Sequence, residues 1–331
     1  MAALLPIDFG RSSMATSQGT HADSGSRLRF GIRSGGACNP APQCVELLVE
    51  PRMTTPASTA SPEVVSPSDP NPTRVALVTG ASLGIGAATA LALAEGGAAV
   101  VVNYRTHAED AEKVVQTIRS AGGQAIAVQG DVSDYAAVER LVHCAVTEFG
   151  RLDVAIANAA YSSRKLFWEQ ELSEIHRTVD VTLWGAFHVL RAATLQMLKQ
   201  GSGGALLTVS SPHAVMPMPC SMGYNIAKAG MEHMVRTAAV ELAAHGIRVN
   251  SVQPGWTDTP GERRYVSEEQ LAKAAQQLPM KRLATTEEVA RGIAFLCDAK
   301  NSYITGATLL IDGGISLPWW SLPSGSMIRQ S

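Results

Sequence analysis

Short runs of apolar, largely β-branched residues recur along the chain: Val75–Thr79, Ala99–Asn103, Ala125–Gln129, Val154–Ala157, Ala205–Ser210, Arg248–Val252 and Thr308–Ile311. Most are apolar throughout and do not alternate, which is the pattern of strands covered on both faces in a parallel sheet. Between them lie longer stretches with helical spacing: Ile85–Glu95, His107–Ala121, Tyr135–Phe149, Leu172–Lys199 and Tyr224–His245. Gly96-Gly97 and Gly122-Gly123 stop the first two, because glycine tolerates the left-handed turn that ends a helix. Strand and helix alternating in this way predict an α/β fold, a single doubly wound parallel sheet with helices on both faces.

The texture is different before residue 73. Residues 1–72 hold nine of the 17 prolines, and Met53–Pro72 is dominated by Pro, Ser, Thr and Ala. Such a segment buries too little apolar surface to offset its chain entropy. The expected organisation is a disordered extension over 1–72, one folded domain over 73–316 and a short tail over 317–331. A targeting peptide is the rival reading of the start, where Arg11, Arg27, Arg29 and Arg33 fall among serines, although Asp8 and Asp23 interrupt them. Translation from Met53 is a third.

Composition narrows the function classes. Of 331 residues 46% are hydrophobic and 17% charged, enough for a substantial core. The net charge of −2 gives no pull toward nucleic acid or an anionic membrane. No apolar run approaches the roughly 20 residues of a membrane helix. The cysteines Cys38, Cys44, Cys144, Cys220 and Cys297 form no C-x-x-C pair, so neither a disulfide framework nor a metal site is expected, and the compartment is read as cytoplasmic.

The first strand-to-helix turn reads Thr79-Gly80-Ala81-Ser82-Leu83-Gly84-Ile85-Gly86. Gly80 permits a tight turn, Gly84 leaves room for a pyrophosphate, and Gly86 allows close helix–strand packing, as in Rossmann-like dinucleotide sites. The helix N-terminus would face the anion with free N–H groups. At the end of the second strand an acidic residue would bind an adenosine ribose hydroxyl, but the chain has Asn103-Tyr104-Arg105. The guanidinium of Arg105 suits a 2′-phosphate, which favours NADP over NAD. The competing reading of Arg105 is a solvated surface charge.

Tyr224-Asn225-Ile226-Ala227-Lys228 opens a helix and puts a phenol and an ammonium on one face. A free phenol titrates near ~10, too high for acid/base work at neutral pH. Lowering it by about three units requires roughly 4 kcal/mol of preference for the anion. A nearby ammonium and the positive oxidised nicotinamide are the expected sources. Ser211, at the end of the fifth strand and thirteen residues before Tyr224, can donate a hydrogen bond to a carbonyl oxygen or accept one from an alcohol.

Taken in order, TGASLGIG, Asp131-Val132, Asn158-Ala159, Ser211, YNIAK, Arg248-Val249-Asn250 and the PGWTDT run from Pro254 resemble the short-chain dehydrogenase/reductase family over about residues 73–316. The runs VNYR and AGGQAIAVQGD, with the ending YITGATLLIDGG, resemble its glucose dehydrogenase branch. The resemblance implies a hydride transfer between a nicotinamide dinucleotide and a secondary alcohol or ketone, with a sugar such as glucose as one candidate. It implies that Tyr224 exchanges the proton, Lys228 binds the nicotinamide ribose and acidifies the phenol, and Ser211 orients the substrate oxygen. Asp131 and Val132 would contact the adenine. Gly80, Ser82, Gly84, Ile85, Gly86 and Arg105 would hold the phosphates and ribose, Asn158 would sit beside them, and Pro254, Gly255, Thr257 and Thr259 would lie along the nicotinamide amide. A homo-oligomer, a tetramer by analogy, is implied as well.

The chain departs from the family pattern at three places. Thr182, in Thr182-Leu183-Trp184-Gly185, stands where an asparagine is usual, and a hydroxyl lacks the amide's separate donor and acceptor. Turnover is therefore expected to be weakened but kept, and Thr182→Asn to raise it. Ala160 stands where glycine is more common, and Leu83 where NADP-preferring relatives often carry a basic residue. The alternative to an enzyme is a weakly active or non-catalytic dinucleotide-binding scaffold, for which Thr182 is the only support.

Trp256–Met280 is expected to form a lid over the substrate. Its Glu262, Arg263, Arg264 and Tyr265 suit a hydroxylated ligand or form a solvated charge run. His213 is read as a packing or surface residue that could face the cleft. Met216, Met218 and Met222 are read as core fillers that could line a pocket. Pro318-Trp319-Trp320 is apolar enough to suggest a subunit interface or a cover over a neighbour's cleft.

Overall fold

The computed structural model describes residues 74–264 and 266–318. The expectations for residues 1–72, Tyr265, Trp319 and Trp320 therefore lie outside the described residues.

The strands are β1 (Arg74–Val78), β2 (Ala98–Tyr104), β3 (Ala125–Gln129), β4 (Val154–Ala157), β5 (Gly204–Val209), β6 (Ile247–Pro254) and β7 (Thr308–Ile311). They form one seven-stranded sheet in the order β3-β2-β1-β4-β5-β6-β7, and every pairing is parallel. The helices are α1 (Gly84–Glu95), α2 (Ala108–Ser120), α3 (Tyr135–Phe149), α4 (Leu172–Val179), α5 (Gly185–Gln200), α6 (Met222–Leu242), α7 (Glu268–Ala275) and α8 (Thr286–Cys297).

Apolar runs produce this sheet because both faces are covered. Val75 and Leu77 join one core with Val138 and Leu141 of α3, Val189 of α5 and Met231 of α6. Their neighbours Ala76 and Val78 join the opposite core with Leu93 of α1, Val115 of α2 and Ile293 of α8. Successive side chains of a strand point to opposite faces, so one run serves two cores. Complete burial of Val289 and Ile293 anchors α8 with about 1.5–3 kcal/mol apiece.

The structure refines the sequence reading in two places. The helical stretch Leu172–Lys199 is interrupted by a π turn over Asp180–Trp184, a local widening that breaks the regular ladder. Helices α7 and α8 were not expected, yet each starts on a capping box: Ser267 with Gln270 and Thr285 with Glu288. In such a box the two residues satisfy each other's free backbone N–H groups.

Chain order reverses between β1 and β4, where the crossovers depart to opposite sides. A crevice opens there at the carboxyl ends of the strands, where open α/β sheets take ligands.

Candidate active site

The glycine turn after β1 is held from three sides. Asn158, just past β4, donates from Nδ2 to the carbonyls of Thr79 at 2.8 Å and Gly80 at 3.1 Å. Asn103 of β2 accepts the Gly80 N–H at 3.2 Å and donates to the Gly130 carbonyl at 3.1 Å. A Cβ on Gly86 would lie 2.3 Å from the Gly80 carbonyl oxygen and 2.5 Å from Asn158 Nδ2, so only glycine fits. Gly80 has a φ of +60°, which glycine adopts without strain. Leu83 caps α1 without a side-chain hydrogen bond, so the turn presents its first N–H groups to the crevice. Gly84 faces Thr259, whose Cγ2 would be 3.3 Å from an added Cβ. The segment after β6 therefore closes over the glycine turn.

At the far end of the crevice Arg105 and Asp131 face each other, with Nη1 3.7 Å from Oδ2. Burial raises the Asp131 carboxyl, but hydrogen bonds from Ser133 and the charge of Arg105 outweigh it and hold it below the usual range. Val132 is buried beneath. An added Cβ on Gly185 would meet its Cγ2 at 2.6 Å, which accounts for the glycine three residues after Thr182.

The reacting groups converge from β5 and α6. Ser211 is buried and accepts the His213 N–H at 3.3 Å. Lys228, 1% exposed, donates from Nζ to the Val209 carbonyl at 2.5 Å. That Nζ lies 5.2 Å from the centre of the Tyr224 ring. The His213 ring meets Tyr224 edge-on at 5.3 Å and shares a 2.9 Å hydrogen bond through Nδ1 with Asn225 Oδ1. His213 thus braces the tyrosine. Burial lowers its imidazole to about 4 despite the Asn225 bond, so it is neutral at neutral pH.

Without the nicotinamide charge that the expectation also invoked, the phenol is not acidified. Burial, then the charge of Glu262, pushes Tyr224 up to about 12, against smaller opposing effects of Arg164 and Ser211. Burial lowers Lys228 to about 7, although Glu232 opposes the change. The ammonium is spent on the Val209 carbonyl, and desolvation penalises the charged form of both groups.

Thr182 lies behind this layer in the π turn, fully buried. Its hydroxyl donates to the Tyr161 carbonyl at 2.8 Å and accepts the Tyr161 N–H at 3.0 Å. One oxygen serves as both donor and acceptor to the same peptide unit. Ala160 has no positive φ, so its backbone does not require glycine.

The outer wall is closed by a contact across the crevice. Arg164, in the β4–α4 loop, donates to both carboxylate oxygens of Glu262 at 3.1 and 3.2 Å. Trp256 Nε1 donates to the same carboxylate at 3.0 Å. Arg263 turns outward to Asp258 and Glu268.

The family model described as Enoyl-(Acyl carrier protein) reductase matches residues 80–316. The chain belongs to the short-chain dehydrogenase/reductase family. It is 43% identical to cis-4-hydroxycyclohexanecarboxylate dehydrogenase of Sinomonas cyclohexanicum over 73% of this chain and 96% of that protein. It is 36% identical to glucose 1-dehydrogenase 2 of Bacillus subtilis over 74% and 95%. The crystal structure of a short-chain type dehydrogenase/reductase from Mycobacterium marinum superimposes with a TM-score of 0.71 at 34% identity, covering 76% of this chain and 98% of that one. This short-chain dehydrogenase/reductase is thus an oxidoreductase of CH–OH groups, glucose dehydrogenase-like, in a family that uses nicotinamide dinucleotides. These relationships support turnover and not the non-catalytic scaffold.

In this dehydrogenase one cleft of about 540 Å³ is lined by every site residue expected from sequence except Thr182. His213, Met216, Met218 and Glu262 also line it, whereas Met222 and Arg263 do not. Tyr161, Arg164 and Arg177 were missed. No local motif marks them, since the partner of Arg164 is Glu262, 98 positions away, and Arg177 lies 4.4 Å above the Tyr161 ring.

Proposed function

We propose that this enzyme oxidises a secondary alcohol, or reduces the corresponding ketone, with NADP preferred over NAD. The observation that carries the reading is the convergence of Ser211, Tyr224 and Lys228 in the cleft that also holds the glycine turn. The cradle fits a dinucleotide, because the tight packing of Gly86 holds the glycine turn at the mouth of the cleft and the first N–H groups of α1, without a side-chain cap, would be free for a phosphate. Gly80, Ser82, Gly84, Ile85 and Gly86 would hold the pyrophosphate, Arg105 the 2′-phosphate, and Asp131 and Val132 the adenine. Asn158, Pro254, Gly255, Thr257 and Thr259 would flank the nicotinamide end.

When bound, the oxidised nicotinamide supplies a hydride acceptor and a positive charge beside the phenol. Ser211 orients the substrate oxygen, Tyr224 takes or returns the proton at that oxygen, and Lys228 holds the ribose and stabilises the phenolate. Thr182 fixes the loop beneath. Desolvation of the cleft strengthens each of these charge interactions.

The substrate class proposed is a sugar such as glucose. The paired Arg164 and Glu262 offer both hydrogen-bond donors and acceptors to a polyol. A second reading, a ring-hydroxylated carboxylic acid, is favoured by the Arg164 guanidinium in the cleft and by the hydroxycyclohexanecarboxylate relative. A homo-oligomer, tetrameric by family analogy, is supported by Trp184 at the end of the π turn and Phe187, Leu195 and Leu198 of α5, which are exposed, and by Ile226 and Val240 on α6. Among the described residues no helix is long and apolar enough to cross a membrane. A cytoplasmic location rests on the cysteine pattern.

The test is nicotinamide absorbance across sugars, polyols, hydroxy acids and small ketones with each dinucleotide. Turnover lost by at least about 100-fold in Tyr224→Phe, with dinucleotide binding kept, is the expected result. Unchanged turnover in that variant would refute the mechanism.

A further inference from the structure

Residues 224, 228, 232 and 236 lie one turn apart on α6, so a phenol, an ammonium, a carboxylate and a guanidinium share one face of the helix. The first two are in the cleft, and Arg236 is at the surface, with Nη1 3.9 Å from Glu232 Oε2. Glu232 between them is only 4% exposed. A carboxylate so deeply placed is costly unless it is charged for a reason and well bonded.

It is well bonded. Ser251 Oγ of β6 donates to one oxygen at 2.8 Å, and Thr308 Oγ1 of β7 donates to the other at 2.6 Å. The buried Ser210 hydroxyl acts on the same carboxylate. Burial raises the Glu232 carboxyl, but the donors Thr308, Ser251, Gln253 and Ser210 outweigh that and keep it below its ordinary value. It is therefore an anion held inside the protein. Lys228 stands in the opposite position, since the hydrogen bond from its Nζ goes to a neutral carbonyl, which brings no counter-charge.

We propose that Glu232 is a positioning residue that acts through Lys228: its buried carboxylate, one helical turn below on the same face of α6, is the counter-charge that favours the ammonium form of Lys228 against the cost of burial. Other charged groups of the cleft do not supply this charge: the Glu262 carboxylate is paired with Arg164, and Glu232 is the charged group that acts on Lys228. Tyr224 on α6 and His213 from the turn after β5 are neutral near pH 7. The residues of β6 and β7 that reach Glu232 are the uncharged Ser251, Gln253 and Thr308. Arg236 partly offsets the carboxylate but is 55% exposed and screened by solvent. The inference rests on the oxidoreductase reading only for its consequence, because Lys228 must be charged to bind a ribose and to hold a phenolate.

The test is an NMR titration of lysine labelled with ¹³C at Cε, in the full-length protein without dinucleotide. The expected result is a Lys228 midpoint lower by about one pH unit or more in Glu232→Gln. The alkaline limb of kcat/KM for alcohol oxidation should move down in step. Glu232→Asp, which keeps the charge one methylene further away, should give a smaller shift in the same direction and serves if Glu232→Gln does not fold. A merely structural role would lower thermal stability and leave both midpoints in place, and an unmoved Lys228 midpoint in a folded variant overturns the proposal. An inactive wild type whose Lys228 midpoint still responds to Glu232 would sink the oxidoreductase reading alone.

Discussion

The Thr182 hydroxyl binds both ends of the Tyr161 peptide unit, giving a proton to the carbonyl at 2.8 Å and taking one from the N–H at 3.0 Å. The contact ties the π turn to the loop after β4 that lines the cleft. Valine matches threonine in shape but makes neither bond. Thr182→Val should leave two buried polar groups unpaired, at about 1–3 kcal/mol each, and Thr182→Ser should keep both bonds. The measurement is thermal unfolding alongside turnover. About 2 kcal/mol corresponds to a fall of about 4–8 °C for a domain of this size, and kcat should drop with it.

Arg105 provides the second prediction. Its guanidinium has only a loose, half-exposed partner in Asp131 at 3.7 Å, and such a pair contributes little to stability. It is available for a 2′-phosphate. A charged hydrogen bond is worth about 1.5–3 kcal/mol, so Arg105→Gln should raise KM for NADP by about 10–100-fold. KM for NAD should change less than threefold, roughly. Equal losses with both dinucleotides would show that the side chain shapes the loop and does not read the phosphate.

What was legible in the sequence rested on short range. The runs Val75–Val78 and Val154–Ala157 are apolar throughout because both sheet faces are covered, and Gly86 is glycine because a Cβ would strike the Gly80 carbonyl. These constraints act within a few residues, so the strands and the tight glycine turn could be read directly. The link from Arg164 to Glu262 joins loops 98 positions apart and leaves no local mark. The environment of the phenol without dinucleotide was illegible for a related reason. Spacing showed that Lys228 is near, but the direction of the Tyr224 shift depends on burial, which only the fold supplies. Helix α8 was overlooked although Thr285 and Glu288 spell its start, because its charged first turn resembles a solvated loop.

His213 sets an acid limit on stability. Burial lowers its imidazole from the usual 6.5 to about 4, so between those values the unfolded chain binds the extra proton. Stability is then full above about pH 6.5 and declines as the pH falls toward 4, by at most about 3 kcal/mol. His213→Gln, which keeps a polar group near Asn225, should flatten that slope. Urea unfolding at pH 4.5 and pH 7 should show a smaller difference for the variant than for the wild type. An equal difference would assign the acid sensitivity to other groups.

Glu262 is the last contact that can be tested by substitution, and it separates a lid from a surface charge. Its carboxylate receives Arg164 from the β4–α4 loop and Trp256 from the start of the lid, and the Arg164 and Glu262 side chains are only 26% and 21% exposed. Partial burial makes the pair stronger than a solvated one. Glu262→Ala should therefore loosen the lid. The expected result is KM for the alcohol raised about tenfold, equivalent to about 1.4 kcal/mol, with dinucleotide affinity unchanged. Trp256→Phe removes one N–H donor and should give a smaller rise in the same direction. Arg263→Ala is the control, because its partners Asp258 and Glu268 lie on the outside and its removal should leave KM alone. If Arg263→Ala and Glu262→Ala raise KM equally, general lid charge governs closure. If only Glu262→Ala does, closure depends on the contact made across the cleft.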